Sequence, residues 1–341
     1  MTNKFKAALA ALVVVAVAGI YGGVHYHDAA VRSTPPVATR QVRHRVSYVN
    51  PTANGRRIGR LALIKNRRRA PKLKLAKSIV AMDAKTGQIV YQRNPNQPRK
   101  VASVAKLMTL YLVEQKVARV PNGWNRVVSA TNQPRLRKMS YDKKLGGFKF
   151  KKGHRYTVKD LFQAALIQSS NNSAIALGEW VAGSNRNFVK LMNAQARAWH
   201  LNAHFVSASG LENDDLKPYG LKIAGNATAG NLISAKSVAI IAQHLITQHA
   251  GILKTSRRDS AEVAGQHLNN LNNLLPGKGF AKPGIRVDGL KTGFTPDAGY
   301  CYVGTEQPRH KDRLITVVLH DADEFTDTRS LMKFINANSR A

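Results

Sequence analysis

The sequence predicts an α/β fold of the α+β kind, in which one sheet is drawn from both ends of the folded part and a helical insert lies between them. Three observations predict it. Short β-rich runs stand at Ser78–Met82 and Gln88–Tyr91, and strand-length apolar runs return only at Ile285–Gly293, Gly299–Thr305 and Leu314–Leu319. Between them the apolar spacing is mostly helical, clearest at Thr157–Leu177, Asn187–Trp199 and Ser234–His249. With 341 residues and 43% hydrophobic content, the chain can bury one large core or two moderate ones.

In chain order, Lys4 and Lys6 precede an uncharged run from Ala7 to Val24, rich in Ala, Val and Gly. As a helix it would span roughly 27 Å, enough for a thin hydrocarbon core. The same pattern suits a secretory signal, with Ala16-Val17-Ala18 as cleavage site. Residues 1–28 are therefore expected to be a signal peptide or an N-terminal membrane anchor, and either role carries the rest of the chain out of the cytoplasm. Residues 29–77 hold fourteen Lys/Arg and no acid, with Pro35, Pro36, Pro51 and Pro71. Like charge and low hydrophobicity predict a basic disordered linker. The folded part is expected over 78–341, with the helical insert at about 115–280. Asp83–Gly87 reads as a hairpin turn, Lys143–Lys152 as a solvated loop or hairpin, and Ser330–Ile335 as a closing helix.

The formal charge is +34, and residues 78–341 alone hold 37 basic against 18 acidic side chains. Such a charge implies a polyanion nearby. For an exported chain, anionic cell-wall polymers or lipid head groups are the candidates, and nucleic acid is not expected. The single cysteine, Cys301, excludes an internal disulfide framework and reads as a core residue. The eleven histidines show no paired metal-ligand spacing, so neither a metal nor another cofactor is expected. Trp124, Trp180 and Trp199 read as helix-packing residues.

Three short motifs carry chemistry. Ser103 and Lys106 stand three apart at the head of the apolar run Leu107–Val113, so on a helix they share a face. A hydroxyl beside an amine against a dry helix is the start of an activated nucleophile, provided the amine is desolvated or meets a second cation. Gln168–Ser173 lies at the junction of two apolar helical runs and contains Ser169 and Asn171. Val287–Gly293 is a strand carrying Lys291, Thr292 and Gly293. The order Ser-x-x-Lys, Ser-x-Asn, Lys-Thr-Gly is far more specific than any one of the three.

On these motifs, on Ser169–Leu177, on Asn270–Leu275 and on Ala298–Cys301, the chain resembles the serine D-alanyl-D-alanine carboxypeptidases, the low-molecular-mass penicillin-binding proteins. The resemblance runs from about Ser78 to about Asp321. It implies a β-lactamase/transpeptidase-like fold, an antiparallel sheet covered by helices plus a helical subdomain, with the active site in the cleft between them. It implies Ser103 as nucleophile, Lys106 as its base, and Ser169 as a relay to the leaving nitrogen. Asn171 would bind Lys106 and the substrate backbone, while Lys291 and Thr292 would hold the substrate carboxylate. Gly293 would admit the substrate backbone, and the N–H groups of Ser103 and Phe294 would form the oxyanion hole. Peptidoglycan stem peptides are the implied substrate and β-lactams the implied inhibitors.

Departures from the family pattern are visible. Asn172 replaces an aspartate and is expected only to alter a helix cap. Phe294 stands where relatives more often carry a polar side chain. With the sequence ending at Ala341, the extra β-domain and amphipathic anchor of many relatives are not expected, and any membrane attachment is expected at the amino end. Gly210–Leu216 lacks the Glu-x-x-Leu-Asn spacing with which class A β-lactamases clear the acyl-enzyme. A D,D-endopeptidase acting on peptidoglycan cross-links is the near alternative, and a β-lactamase or a non-catalytic wall-binding protein the distant ones.

Overall fold

The computed structural model describes residues 71–339 except 72, 74, 146 and 310. The predicted signal or anchor and most of the predicted linker lie outside the described residues.

The sheet begins with β1 (Ser78–Asp83) and β2 (Ile89–Arg93), joined by the predicted turn. Asp83 Oδ1 accepts the N–H groups of Lys85 and Thr86, and Gly87 follows at φ +71°, in the left-handed region glycine tolerates. Next come β3 (Pro98–Lys100), a 3₁₀ turn at Ala102–Ala105, and α1 (Lys106–Val117). The insert runs through α2 (Pro134–Ser140), α3 (Val158–Ile167), α4 (Asn171–Ala182), α5 (Asn185–Ala198), β4 (Ala203–His204), α6 (Asn213–Leu216), β5 (Leu232–Ser234), α7 (Ala235–Gln248) and α8 (Ile252–Ser256). A hairpin of β6 (Ser260–Val263) and β7 (Gln266–Asn269) follows. The chain then returns to the sheet with β8 (Val287–Thr295), β9 (Gly299–Glu306) and β10 (Leu314–Asp321), and closes with α9 (Glu324–Asn338).

The main sheet has the order β2-β1-β10-β9-β8, antiparallel throughout, so the two ends of the fold meet where β1 pairs with β10. Both faces are covered, which is why the strands read as continuous apolar runs. Ile79 and Ala81 of β1, with Leu314 and Val318 of β10, face Leu331, Met332 and Ile335 of α9. Val80 and Met82, with Ile315, Val317 and Leu319, face the larger cluster built on α1 and α7. β8 is left as an edge strand.

Four differences from the sequence expectation have plain causes. The helix predicted over Thr157–Leu177 breaks at 168–170. There Ser169 takes φ +65° and the Ser170 hydroxyl caps α4 by accepting the N–H of Ser173. α9 starts at Glu324, earlier than Ser330, because Asp323 caps it through the N–H of Thr326. Lys143–Lys152 is a loop, but a pinned one: Phe148 and Phe150 are buried against Tyr156. Leu73 and Ala76, assigned to the linker, are buried under α9, and Arg93 Nη1 donates to both their carbonyls.

Candidate active site

From Val101 to Val113 every residue is buried except Ser103, which is half-exposed. Its 3₁₀ turn is tightened by the Val104 N–H donating to Val101 O (3.1 Å), and Ala102 is held at φ +45°. A non-glycine residue in that region is strained and persists only where its surroundings hold it. Two glycines do so. A Cβ at Gly210 would lie 2.0 Å from Ala102 O, and one at Gly293 would lie 2.8 Å from Val101 O and 3.0 Å from Ser103 N. Gly293 was expected to admit the substrate backbone. It also makes room for the turn that carries Ser103, which lies against β8.

Lys106 is the first residue of α1 and is fully buried. Its Nζ has three partners, each at 2.7 Å: Ser103 Oγ, Asn171 Oδ1 and Ser209 O. The amide oxygen and the carbonyl can only accept. As an ammonium Nζ donates to all three, Ser103 Oγ included; as a neutral amine it keeps both obligate acceptors and turns its lone pair to the Ser103 hydroxyl proton. Burial holds the Lys106 amine well below the usual lysine range, and the charge of Lys291 pushes the same way. The amino end of α1, with its partial positive charge, also disfavours an ammonium there.

Lys291 is itself buried, and burial lowers it to about 7. Its Nζ donates to Thr292 O (2.9 Å), and the side chain does not line the cavity in front of Ser103. Of the two residues expected to hold a carboxylate, Thr292 lines the cavity and Lys291 does not.

That cavity, about 380 Å³, brings together Ser103, Ser169, Asn171, Thr292, Gly293 and Phe294, residues spread over 192 positions of sequence from Ser103 to Thr295 at its other edge. Lys143, Lys144, Leu145 and Gln168 complete one wall, while Leu271, Tyr300, Glu324 and Phe325 extend the other. Phe294 is exposed and lies against Tyr300 with ring centroids 4.5 Å apart. Glu324 is the one acid in the lining, and burial raises its carboxyl to about 7.

Several positioning groups carried no sequence signal. The Ser209 carbonyl is aimed at Lys106 because residues 206–210 are strapped down. Asn231 Oδ1 accepts the N–H groups of Val206 and Ser207, and Thr109 Oγ1 donates to Ala208 O. Asn172 is more than a cap variant: its Nδ2 donates to Phe148 O (2.8 Å), while its Oδ1 accepts from Ser170 Oγ. Asn171 Nδ2 donates to Leu145 O (2.6 Å). Both amides fasten the 143–150 loop to α4. Glu212 does not line the cavity. It pairs with Lys100 at 3.3 Å and accepts from Thr295 Oγ1 at 3.2 Å. Cys301 is buried, its thiol pushed up to about 12, which leaves it inert. Among the described residues no cluster of His, Cys, Asp and Glu could hold a metal ion.

The chain belongs to the D-alanyl-D-alanine carboxypeptidase family (peptidase S11), which it matches over residues 65–323. The D-alanyl-D-alanine carboxypeptidase DacD of Escherichia coli K12 is 29% identical over 245 residues, covering 72% of this chain and 58% of that protein. Among solved structures, the peptidoglycan synthesis regulatory factor PBP3 of Streptococcus pneumoniae is 33% identical with a TM-score of 0.72. That match covers 77% of this chain and 74% of the other. Penicillin-binding protein D2 of Listeria monocytogenes, in its ampicillin-bound form, is 28% identical with a TM-score of 0.62, covering 77% and 99%. The chain spans less than two thirds of the length of the first curated relatives it matches, 58%, 64% and 56%.

Proposed function

We propose that this chain is a serine D,D-carboxypeptidase that removes the terminal D-Ala of peptidoglycan stem pentapeptides through an acyl-enzyme on Ser103. The observation that carries the reading is the buried Lys106 amine, 2.7 Å from Ser103 Oγ with two obligate acceptors on its other side.

In this reading Lys106 takes the Ser103 proton as Oγ attacks the carbonyl carbon of the penultimate D-Ala. The N–H groups of Ser103 and Phe294 receive the developing oxyanion, an interaction worth about 10²–10³ in rate per donor. Ser169 relays the proton from Lys106 to the departing D-Ala nitrogen. Thr292, with the Lys291 charge behind it, holds the terminal carboxylate. Water then cleaves the ester, its proton passing to Lys106 and on to Ser103 Oγ.

Glu212 is held by Lys100 and Thr295 outside the cavity lining, and residues 210–216 lack the Glu-x-x-Leu-Asn spacing, so penicillins should acylate Ser103 and stay. The D2 protein of L. monocytogenes, with ampicillin bound, supports that expectation. The apolar run at Ala7–Val24 supports action outside the cytoplasm, and the basic segment after it supports contact with anionic wall polymer or lipid head groups.

The test measures D-alanine released from a pentapeptide ending in D-Ala-D-Ala, alongside labelling by a fluorescent penicillin. Wild type should do both and Ser103→Ala neither. A folded wild type that does neither overturns the proposal.

A further inference from the structure

We propose that Lys143 and Lys144 form a specificity site for a side-chain carboxylate of the acyl-donor peptide, on the cavity wall opposite Thr292. This rests on the peptidase reading and names the substrate class it takes: stem peptides that carry a free carboxylate upstream of D-Ala-D-Ala.

Both side chains are exposed, both line the cavity in front of Ser103, and neither ammonium is in an ion pair among the described residues. The loop that bears them is built rather than loose. Asp142 Oδ1 accepts the N–H groups of Lys144 (2.8 Å) and Leu145 (3.3 Å), and Asp142 Oδ2 accepts the hydroxyl of Tyr219. One residue further, Leu145 O accepts Asn171 Nδ2, the same amide whose oxygen holds Lys106. The backbone that bears the two lysines is therefore tied to the catalytic frame through a two-bond chain, Lys106 to Asn171 to Leu145.

The acid nearest in sequence, Asp142, interacts electrostatically with Lys144 but forms an ion pair with neither ammonium, and against two lysines it leaves a net positive charge on this wall. Asp142 has its oxygens engaged by Tyr219 and by backbone N–H groups. Glu324, the one acid in the lining, sits on the other wall among Leu271, Tyr300 and Phe325. A ligand across the cavity thus meets two cations beside Asn171 and an apolar, aromatic surface beyond Phe294. A neutral peptide would leave the cations solvated. A carboxylate would gain two charge-assisted partners carried on a loop whose backbone is already held.

The experiment compares two peptides ending in D-Ala-D-Ala, identical except that an upstream side-chain carboxylate is free in one and amidated in the other. The ratio of their kcat/KM values is measured for wild type, for Lys143→Gln/Lys144→Gln, and for Lys151→Gln/Lys152→Gln, an exposed pair outside the cavity lining, as a charge-matched control. Wild type should favour the free carboxylate, the Lys143→Gln/Lys144→Gln variant should lose about tenfold of that ratio through KM, and 0.5 M salt should erode it in wild type. Binding of both peptides to Ser103→Ala, measured by calorimetry, should show the same preference. If wild type binds both equally, or the Lys143→Gln/Lys144→Gln variant keeps the preference, the inference is overturned. Peptides bound with the preference but never cleaved would sink the peptidase reading and leave the carboxylate site standing.

Discussion

The Nζ of Lys106 lies 2.7 Å from Oδ1 of Asn171, 65 residues further along the chain, and both groups are buried. That bond fixes which way the amine's lone pair faces. With Asn171 and Ser209 taking the two N–H bonds, the remaining direction points at Ser103. It follows that acylation needs Lys106 neutral. Labelling by a fluorescent penicillin should fall as pH drops and Lys106 gains a proton. Lys291→Met removes the like charge that depresses Lys106, so the acid limb should move to higher pH. A limb that stays put shows that Lys291 exerts no influence on Lys106.

Lys291 also sets a stability signature. Its folded pKa is depressed to about 7 from an unfolded value of 10.5, so between those values the unfolded chain binds the proton more. Stability from this group therefore rises with pH: the penalty is full below 7 and gone above 10.5. Lys291→Met removes the penalty and sacrifices only the bond to Thr292 O. The variant should be more stable than wild type near neutrality, and its advantage should shrink by about 2 kcal/mol between pH 7.5 and 9 in urea unfolding. An advantage that does not change with pH contradicts this.

Gly293→Ala places a Cβ 2.8 Å from Val101 O and 3.0 Å from the N–H of Ser103. β8 and the nucleophile's turn must separate by a few tenths of an ångström or more. Acylation should slow by about 10²-fold, since misplacement of that size is enough to spoil attack geometry. Circular dichroism should remain that of wild type, which distinguishes lost alignment from lost fold.

Asn172→Asp replaces the donor facing Phe148 O with a carboxylate oxygen. A buried carbonyl then loses its partner, at a cost of about 1–3 kcal/mol. The 143–150 loop should be cut sooner by trypsin, at Lys143, Lys144 or Lys149, and urea unfolding should shift to lower concentration. Equal protease resistance would show that Phe148 and Phe150 alone anchor the loop.

Much of this was readable in advance, because the strands and helices announce themselves by apolar spacing and the three motifs by their order. Gln168–Ser173 read as the junction of two helical runs, but the exact break at Ser169 was not readable, since Ser and Asn tolerate helix and turn alike and only the cap on Ser173 decides between them. Nor was the pinned character of the 143–150 loop. Its basic residues suggested solvent, and Phe148 and Phe150 were too few to outvote them without knowledge of Tyr156.

By itself, the order of residues determined that β1 and β2 would join β8, β9 and β10, and that a serine, an amine and a Lys-Thr strand would serve one chemistry. Tertiary structure alone decided the charge of that amine and the exact company it keeps, because desolvation and hydrogen-bond count depend on what is packed around a group rather than on its neighbours in sequence. It also decided that Lys291 is buried outside the cavity lining, that Gly293 makes room for Ser103, and that Lys143 and Lys144 line the cavity. Contacts between distant segments settle such matters, and spacing along one segment carries no record of them.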